Sequence, residues 1–414
     1  MRRLAALALL LTVGALRADD WPEFLGPRRD GTVAETGLAR AWPVKGPPVL
    51  WKIEIGSGFS GPIVVGKRLV LHHRTGNDER IDFVDVDTGK LDRKLSYPTN
   101  FADIFGNGGP CSTPCAADGK VVALGPDGKL TCLALDTGAK LWAHDLVAEY
   151  KVPNSYFGVG SSPLIHDGRL LVNVGAPKAG VVAFALKDGK ELWKATSDGA
   201  SYSSPILARI DGAERAVFFT RNGPLVLDPA TGRVTYTTRW RARINESVNA
   251  APPLLLGDDR VFFTASYQTG ALLLKLRKDG ADQVWTSEDA LSSHYTNAVT
   301  HGGFIFGVDG RQETGAARLR CIDPRPAAGP IVRWSADRYG CASIFVAGDD
   351  LILLNENGDL ILAEANPAKY VEKARVRLLD GTPVRAVPAI SGGRLFARDR
   401  SHLVCVDLRA GAGK

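Results

Sequence analysis

Ala134-Leu-Asp-Thr-Gly-Ala-Lys-Leu-Trp142 and Ala185-Leu-Lys-Asp-Gly-Lys-Glu-Leu-Trp193 decide the fold. Each places a tight Gly turn between two apolar stretches and ends on Trp, the pattern of two short strands joined by a turn. Weaker copies run Leu227–Tyr236, Lys275–Trp285 and Cys321–Trp334, and a first copy, Val86–Arg93, has lost its aromatic. The ends of these copies, at 93, 142, 193, 236, 285 and 334, are separated by 49, 51, 43, 49 and 49 residues. A period of this length marks a repeat architecture.

A second phrase precedes each copy: a short strand, a Gly turn and another strand. Gly61–Leu71 and Ser162–Val172 show it, and it returns in Pro252–Thr264, Ala298–Val308 and Ala386–Ala397. Each unit therefore carries four strands, A to D. No stretch of useful length has the 3.6-residue periodicity that a β/α repeat would need. Four short antiparallel strands every 40–50 residues make a propeller blade, and the fold class is all-β, an eight-bladed β-propeller. Eight A-B-C sets are countable, but the last runs into the C-terminus without a D strand. Val49–Ile55 is expected to supply it by pairing near Leu403–Leu408, closing the ring and removing its open edges.

At 414 residues, with 45% hydrophobic and 23% charged residues, the chain has the composition of an ordinary globular protein. Arg2, Arg3 and the apolar run Leu4–Leu16 read as a signal peptide over 1–18, too short to span a bilayer. A lead segment at 19–47, the propeller at 48–408 and a tail at 409–414 complete the expected organisation. The mature protein is expected to be exported, soluble and periplasmic or extracellular, without a transmembrane segment and as a monomer. The net charge of +6 falls to +3 when Arg2, Arg3 and Arg17 are removed, too little to imply nucleic acid as a partner. The six cysteines include no CxxC pair. They are either buried free thiols or disulfides of an exported chain, with Cys111 and Cys115 the one nearby pair.

The phrase Ala134–Trp142 resembles the tryptophan-docking repeat of pyrroloquinoline-quinone (PQQ) type propellers, a superfamily that includes quinoprotein alcohol dehydrogenases and the outer-membrane assembly factor BamB. The resemblance covers about residues 48–408, and Trp21–Gly31 is similar to the lead of exported PQQ-like propellers. It implies that Trp142, Trp193, Tyr236, Trp285 and Trp334 dock flat against the neighbouring blade. Its two branches imply different functions. The BamB-like branch implies a non-catalytic binding or scaffold protein. The quinoprotein branch implies an oxidoreductase in which PQQ sits on a Trp floor beside a disulfide of adjacent cysteines, with calcium held by Glu, Asn and Asp. This chain has no adjacent Cys pair and no calcium-ligand set that can be matched residue by residue. No cofactor, metal or catalytic residue is therefore assigned, and PQQ with calcium stays the alternative.

The strand map predicts where binding groups lie. A-to-B and C-to-D turns share one face, which we term the turn face, and are short. D-to-A and B-to-C connections share the other, the loop face, and are long and varied, as binding loops are. The candidates there are Asn154, Tyr156, Arg243, Asn245, Asn249, His294, Tyr295, Asn297, Asp309, Arg311, Gln312 and Glu313. Asn249, Asp309 and Glu313 offer hard oxygen ligands, and His294 titrates near neutrality. Each also has a plain structural role open to it in holding its own loop. Arg243 and Arg311, on different blades, suit a small anionic ligand, and a protein partner on the same face is the alternative.

Overall fold

A computed structural model describes residues 20–102, 108–153, 158–242, 244, 248–312, 315–326 and 328–412. Eight four-stranded antiparallel sheets follow one another around the ring. Blade 1 comprises Ile63–Val65, Arg68–Thr75, Asp78–Asp85 and Leu91–Pro98. Blades 2 to 7 begin at Cys115, Leu164, Ile206, Leu254, Val299 and Ala342. Blade 8 takes Ala389–Ser391, Arg394–Arg398 and His402–Asp407 from the C-terminus and Val49–Glu54 as its outer strand. That last strand pairs antiparallel with Leu403 opposite Ile53 and Cys405 opposite Trp51. The ring is thus closed by hydrogen bonds between the two ends of the chain.

Burial follows strand position. Middle strands are covered on both faces by neighbouring blades and read as continuous apolar runs; Ala179–Ala185 is buried at every position. Outer strands alternate, as Leu91–Pro98 does, because only one of their faces meets the next blade.

The docking phrase explains itself across the seams. Trp51, Trp142, Trp193, Trp285 and Trp334 each donate their indole N–H to a carbonyl of the next blade: Val86 (3.0 Å), Leu186 (3.0 Å), Pro229 (3.2 Å), Pro324 (2.9 Å) and Asn366 (2.8 Å). Three of these rings lie on the Gly of that blade's C-to-D turn. A Cβ at Gly89, Gly189 or Gly232 would sit 2.8, 2.8 or 2.5 Å from the indole, and all three have φ near +70°, where L side chains are strained. So the Thr-Gly or Asp-Gly turn of one repeat is the seat for the Trp of the repeat before. Where the aromatic is missing, arginine substitutes: the Arg93 stem lies on Gly138 and its guanidinium donates to the carbonyl of Asp136. Tyr236 packs into the apolar cluster shared by blades 4 and 5, while the turn carbonyl of blade 5, at Lys278, accepts from Arg215 at 2.6 Å.

Nearer the axis a hydrogen-bonded belt precedes the inner strands. Gly61 N–H donates to Thr113 Oγ1, Thr113 N–H to Ser162 Oγ, and Ser162 N–H to Ser204 Oγ, at 3.1, 2.9 and 3.1 Å. Each hydroxyl caps a backbone amide of the blade before it.

The segment ahead of Val49 is not a loose lead. Trp21 forms an antiparallel bridge with Val64 of the blade 1 inner strand, and Pro22 O accepts from Ala116 of blade 2 at 2.8 Å. After a tight turn, Thr32–Val33 pairs parallel with the inner strand of blade 7. Inner strands run from the loop face to the turn face. The segment therefore enters the channel from the turn face, reverses at Pro27–Arg28 with its tip towards the loop face, and leaves as it came. Arg29 is buried at the turn, donates to the carbonyls of Pro163 (3.0 Å) and Ser162 (3.1 Å) on blade 3, and pairs with Glu23 at 2.6 Å. The chain's own N-terminal hairpin is an axial plug that ties blades 1, 2, 3 and 7 together.

All six cysteines carry free thiols, five of them buried. Burial pushes those of Cys132, Cys321 and Cys405 up to about 12. Among the described residues no helix is long and apolar enough to cross a membrane.

Two outcomes follow from the seams. Trp142→Ala and Trp193→Ala should each lower the unfolding free energy by about 3 kcal/mol, the cost of removing a large packed aromatic; unchanged urea midpoints for both would contradict the docking role. The closure seam should also respond to acid. Gly56, directly after the closing strand, donates its N–H to His73 Nδ1 at 2.8 Å, and His73 Nε2 meets Asp82 Oδ2 at 2.9 Å. The ring is held neutral, with Nδ1 as acceptor. Burial, outweighing the opposing pull of Asp82, keeps its pKa below the ordinary value of 6.5. A proton is then bound more readily by the unfolded chain. Stability is complete above about pH 6.5 and falls as the pH drops below it. His73→Gln should flatten the melting temperature between about pH 7 and pH 5; a slope equal to that of the parent protein would contradict this.

Candidate functional site

The loop face is built on the residues that lead into the inner strands. In seven blades the residue four positions before the inner strand is Phe59, Cys111, Gly160, Tyr202, Ala250, Tyr295 or Arg385. Repeat register places these side chains around one channel mouth. The Tyr202 ring lies against Gly160, where a Cβ would approach it to 2.3 Å.

From this collar a ladder of cations and rings runs outward. The guanidinium of Arg385, on the connection into blade 8, lies 5.4 Å from the Phe59 ring and 5.6 Å from the Tyr295 ring. Tyr295 meets His294 at 5.8 Å between centroids, and His294 meets Tyr267 edge-on at 5.6 Å. Arg311 caps Tyr267 at 3.9 Å from the ring centre. Cation–π and edge-to-face contacts of this kind fix side chains while leaving hydrogen-bonding capacity in place. The strands beneath hold the loops firmly. Ser293 Oγ donates to Val308 O at 2.5 Å, Ser293 N–H to Thr264 Oγ1 at 2.9 Å, and Ser292 Oγ to Ala265 O at 2.9 Å.

The structure divides the residues singled out from the sequence. His294, Tyr295, Arg311 and Gln312 come together in the ladder, with His294 Nδ1 2.9 Å from Gln312 Oε1. Burial raises the Tyr295 phenol well above its ordinary pKa, with Cys341 and Glu356 adding to the effect. Three others are engaged in holding the fold. Asn297 donates to Ile344 O (2.7 Å) and accepts from Ile344 N–H (3.1 Å), clamping blade 6 to blade 7. Asn249 is buried and donates to Thr220 O at 2.7 Å. Asp309 accepts from Ser292 N–H at 2.9 Å and pairs with Arg320 at 3.1 Å. Asn154, Tyr156, Arg243, Asn245 and Glu313 lie outside the described residues, and with Arg243 so does the expected shared anion site of Arg243 and Arg311; Arg311 lies over the Tyr267 ring.

Three members of the ladder, Phe59, Tyr267 and Arg385, escape a search for polar motifs. Phe59 and Arg385 share the register position of Tyr202 and Tyr295, and aligning the repeats at that position would find them. Tyr267 sits in a tight B-to-C loop at φ +59°, and no local pattern marks it.

Among the described residues, the hard-oxygen candidates Asn249 and Asp309 are engaged within the fold. Of the three hard-oxygen candidates, Asp309 already has both carboxylate oxygens engaged and its charge offset by Arg320. The cysteines are separate free thiols. The axis beneath the mouth is filled by the N-terminal hairpin.

Fold and face together define a PQQ-type propeller with a plugged channel and one elaborated mouth. A family model described as outer membrane protein assembly factor BamB matches residues 99–326, more than half of the chain, and the chain belongs to that family. It is 28% identical over 256 residues to the outer membrane protein assembly factor BamB of Burkholderia pseudomallei (strain K96243), a match covering 59% of this chain and 62% of that protein. The chain thus spans about three-fifths of the length of that relative. Among solved structures, BamB from Moraxella catarrhalis superposes with a TM-score of 0.59 at 13% identity, over 87% of this chain and 99% of that one. The quinohemoprotein alcohol dehydrogenase from Comamonas testosteroni superposes with 0.65 at 14% identity, over 96% and 82%. At these identities the likeness is one of fold, and it extends to both branches.

Proposed function

We propose that this protein is an exported, non-catalytic binding propeller whose loop face docks a polypeptide partner in the cell envelope. The observation that carries this is the make-up of the ladder. It consists of cations and aromatic rings held rigidly at the surface of the mouth, the residue types that anchor protein interfaces. Asn249 and Asn297 are engaged in blade-to-blade bonds, and Asp309 is engaged within blade 6. Membership of a family described as an outer membrane protein assembly factor supports a partner of the envelope-protein class. The N-terminal run Leu4–Leu16 supports export.

The oxidoreductase alternative draws on a fold shared with a quinohemoprotein dehydrogenase, and the donor set argues against it. Two measurements separate the readings. A photoactivatable amino acid at position 267 or 312, in cells making the protein, should give discrete adducts identified by mass spectrometry as one envelope protein. The same residue at 167 or 187 on the turn face should give none. Adducts from both faces alike would contradict the docking face. A saturable shift in the PQQ spectrum in the presence of calcium, with turnover of an alcohol, would replace the binding role with the oxidoreductase.

A further inference from the structure

Arg385 stands on the loop face with a guanidinium that finds no hydrogen-bond partner among the described residues. It is half-buried and makes no ion pair among them. Its Nε is buried without a partner. A guanidinium carries five donors in a rigid fork, and an arginine withdrawn from water ordinarily engages several of them. Two others near the axis do so. Arg29 bonds two carbonyls and Glu23. Arg398, fully buried, donates to Asp399 O at 3.0 Å and Gly56 O at 2.7 Å.

Nearby carboxylates do not serve Arg385, because they hold backbone amides. Asp399 accepts from Gly381, Ser401 and His402 N–H at 3.1, 2.8 and 2.7 Å. Glu356 accepts from Cys341 N–H at 3.0 Å. What Arg385 does have is Phe59 and Tyr295 within cation–π range, which positions the fork without occupying its edge.

The plug adds a second cation below. Arg29 reaches the carbonyls one and two residues before the blade 3 inner strand, whereas Arg385 stands four residues before its own. The vertical gap is therefore two to three residues, roughly 7–10 Å at about 3.3 Å per residue. The Arg28 side chain at the hairpin tip is 55% exposed, its charge shared with Asp30 at 3.2 Å. It faces the mouth from beneath. The hairpin closes the axis from the turn face, so an occupant enters from the loop face only and presents an end.

We propose that Arg385, between Phe59 and Tyr295, is a carboxylate-binding site that receives a carboxylate of the docked polypeptide, a chain terminus or an acidic side chain at the end of a loop. This rests on the docking function proposed above. The bidentate geometry of guanidinium and carboxylate supplies the selectivity, and the rings exclude water from the pair.

The test uses the full-length protein and two probes, the peptide Ac-Gly-Ser-Gly-Phe-Gly with a free C-terminal carboxylate and its C-terminal amide, with benzoate as a free-acid control. Calorimetry should show the acid peptide binding at least tenfold more tightly than the amide. Arg385→Gln should abolish the difference, and Arg169→Gln, on the turn face, should keep it. Arg385→Lys, which retains charge without the fork, should keep only part of it, and this holds the test open if the Gln variant folds poorly. Equal binding of acid and amide, discrimination that survives Arg385→Gln, or no binding of either at about 1 mM, the weak end of specific affinity, would overturn the site. Benzoate binding as tightly as the peptide would overturn the polypeptide occupant in favour of a free acid. If the adducts at positions 267 and 312 persist in Arg385→Gln while acid and amide bind alike, docking stands and the carboxylate site falls. Loss of those adducts from the unmodified protein would instead remove docking itself.

Discussion

An indole resting on a glycine is the contact on which this propeller depends. Each blade is a sheet too small to bury its own faces, so stability comes from the seams. At five seams a Trp donates its N–H to a carbonyl of the next blade. At three of these the ring occupies space that only Gly leaves open. The same contact fixes the rotation between blades and so the position of every loop. The belt of Ser and Thr hydroxyls ahead of the inner strands repeats the arrangement nearer the axis. Where no indole is present, at Arg93 and at Arg215 beside Tyr236, a guanidinium takes over the carbonyl, so the hydrogen bond is kept without the indole.

The repeat was legible because its parts are local. Asp-Thr-Gly and Trp142 lie within one stretch of sequence, although they serve different seams. The closing strand was legible by counting, since a ring of eight cannot leave one blade short. The plug was not. Trp21 to Val33 has no repeat partner, and its contacts, to Val64, Ala116, Pro163 and Val346, are distant in sequence. The site was legible by halves. His294, Tyr295, Arg311 and Gln312 come together on the loop face, where strand topology alone puts them. Polarity could not tell Asp309, neutralised by Arg320 on the adjoining strand, from a residue open to a ligand. Arg385 stands out only once its lack of partners among the described residues is seen, and that is a property of three-dimensional surroundings.

The two faces differ in what their residues hold. The turn face is where the N-terminal hairpin enters and where the short Gly turns seat the docking Trp side chains, so its residues are committed to holding the ring. The loop face is pinned from below by Ser292, Ser293 and Asn297 and carries cations and rings on its surface. A rigid mouth of this kind loses little conformational freedom when it binds, which favours recognition by preformed contacts. Fold alone does not separate a binding propeller from a quinoprotein enzyme.

Two segments from the N-terminal part of the chain belong to the folded ring, the hairpin at its axis and Val49–Glu54 at its rim. Native-state hydrogen exchange followed by mass spectrometry tests it directly, because protection reports the free energy of opening each segment. Peptides covering Trp21–Val33 and Val49–Glu54 should exchange as slowly as the inner strands Ile63–Val65 and Leu164–His166. Exchange of the hairpin within seconds, while those inner strands stay protected, would contradict it.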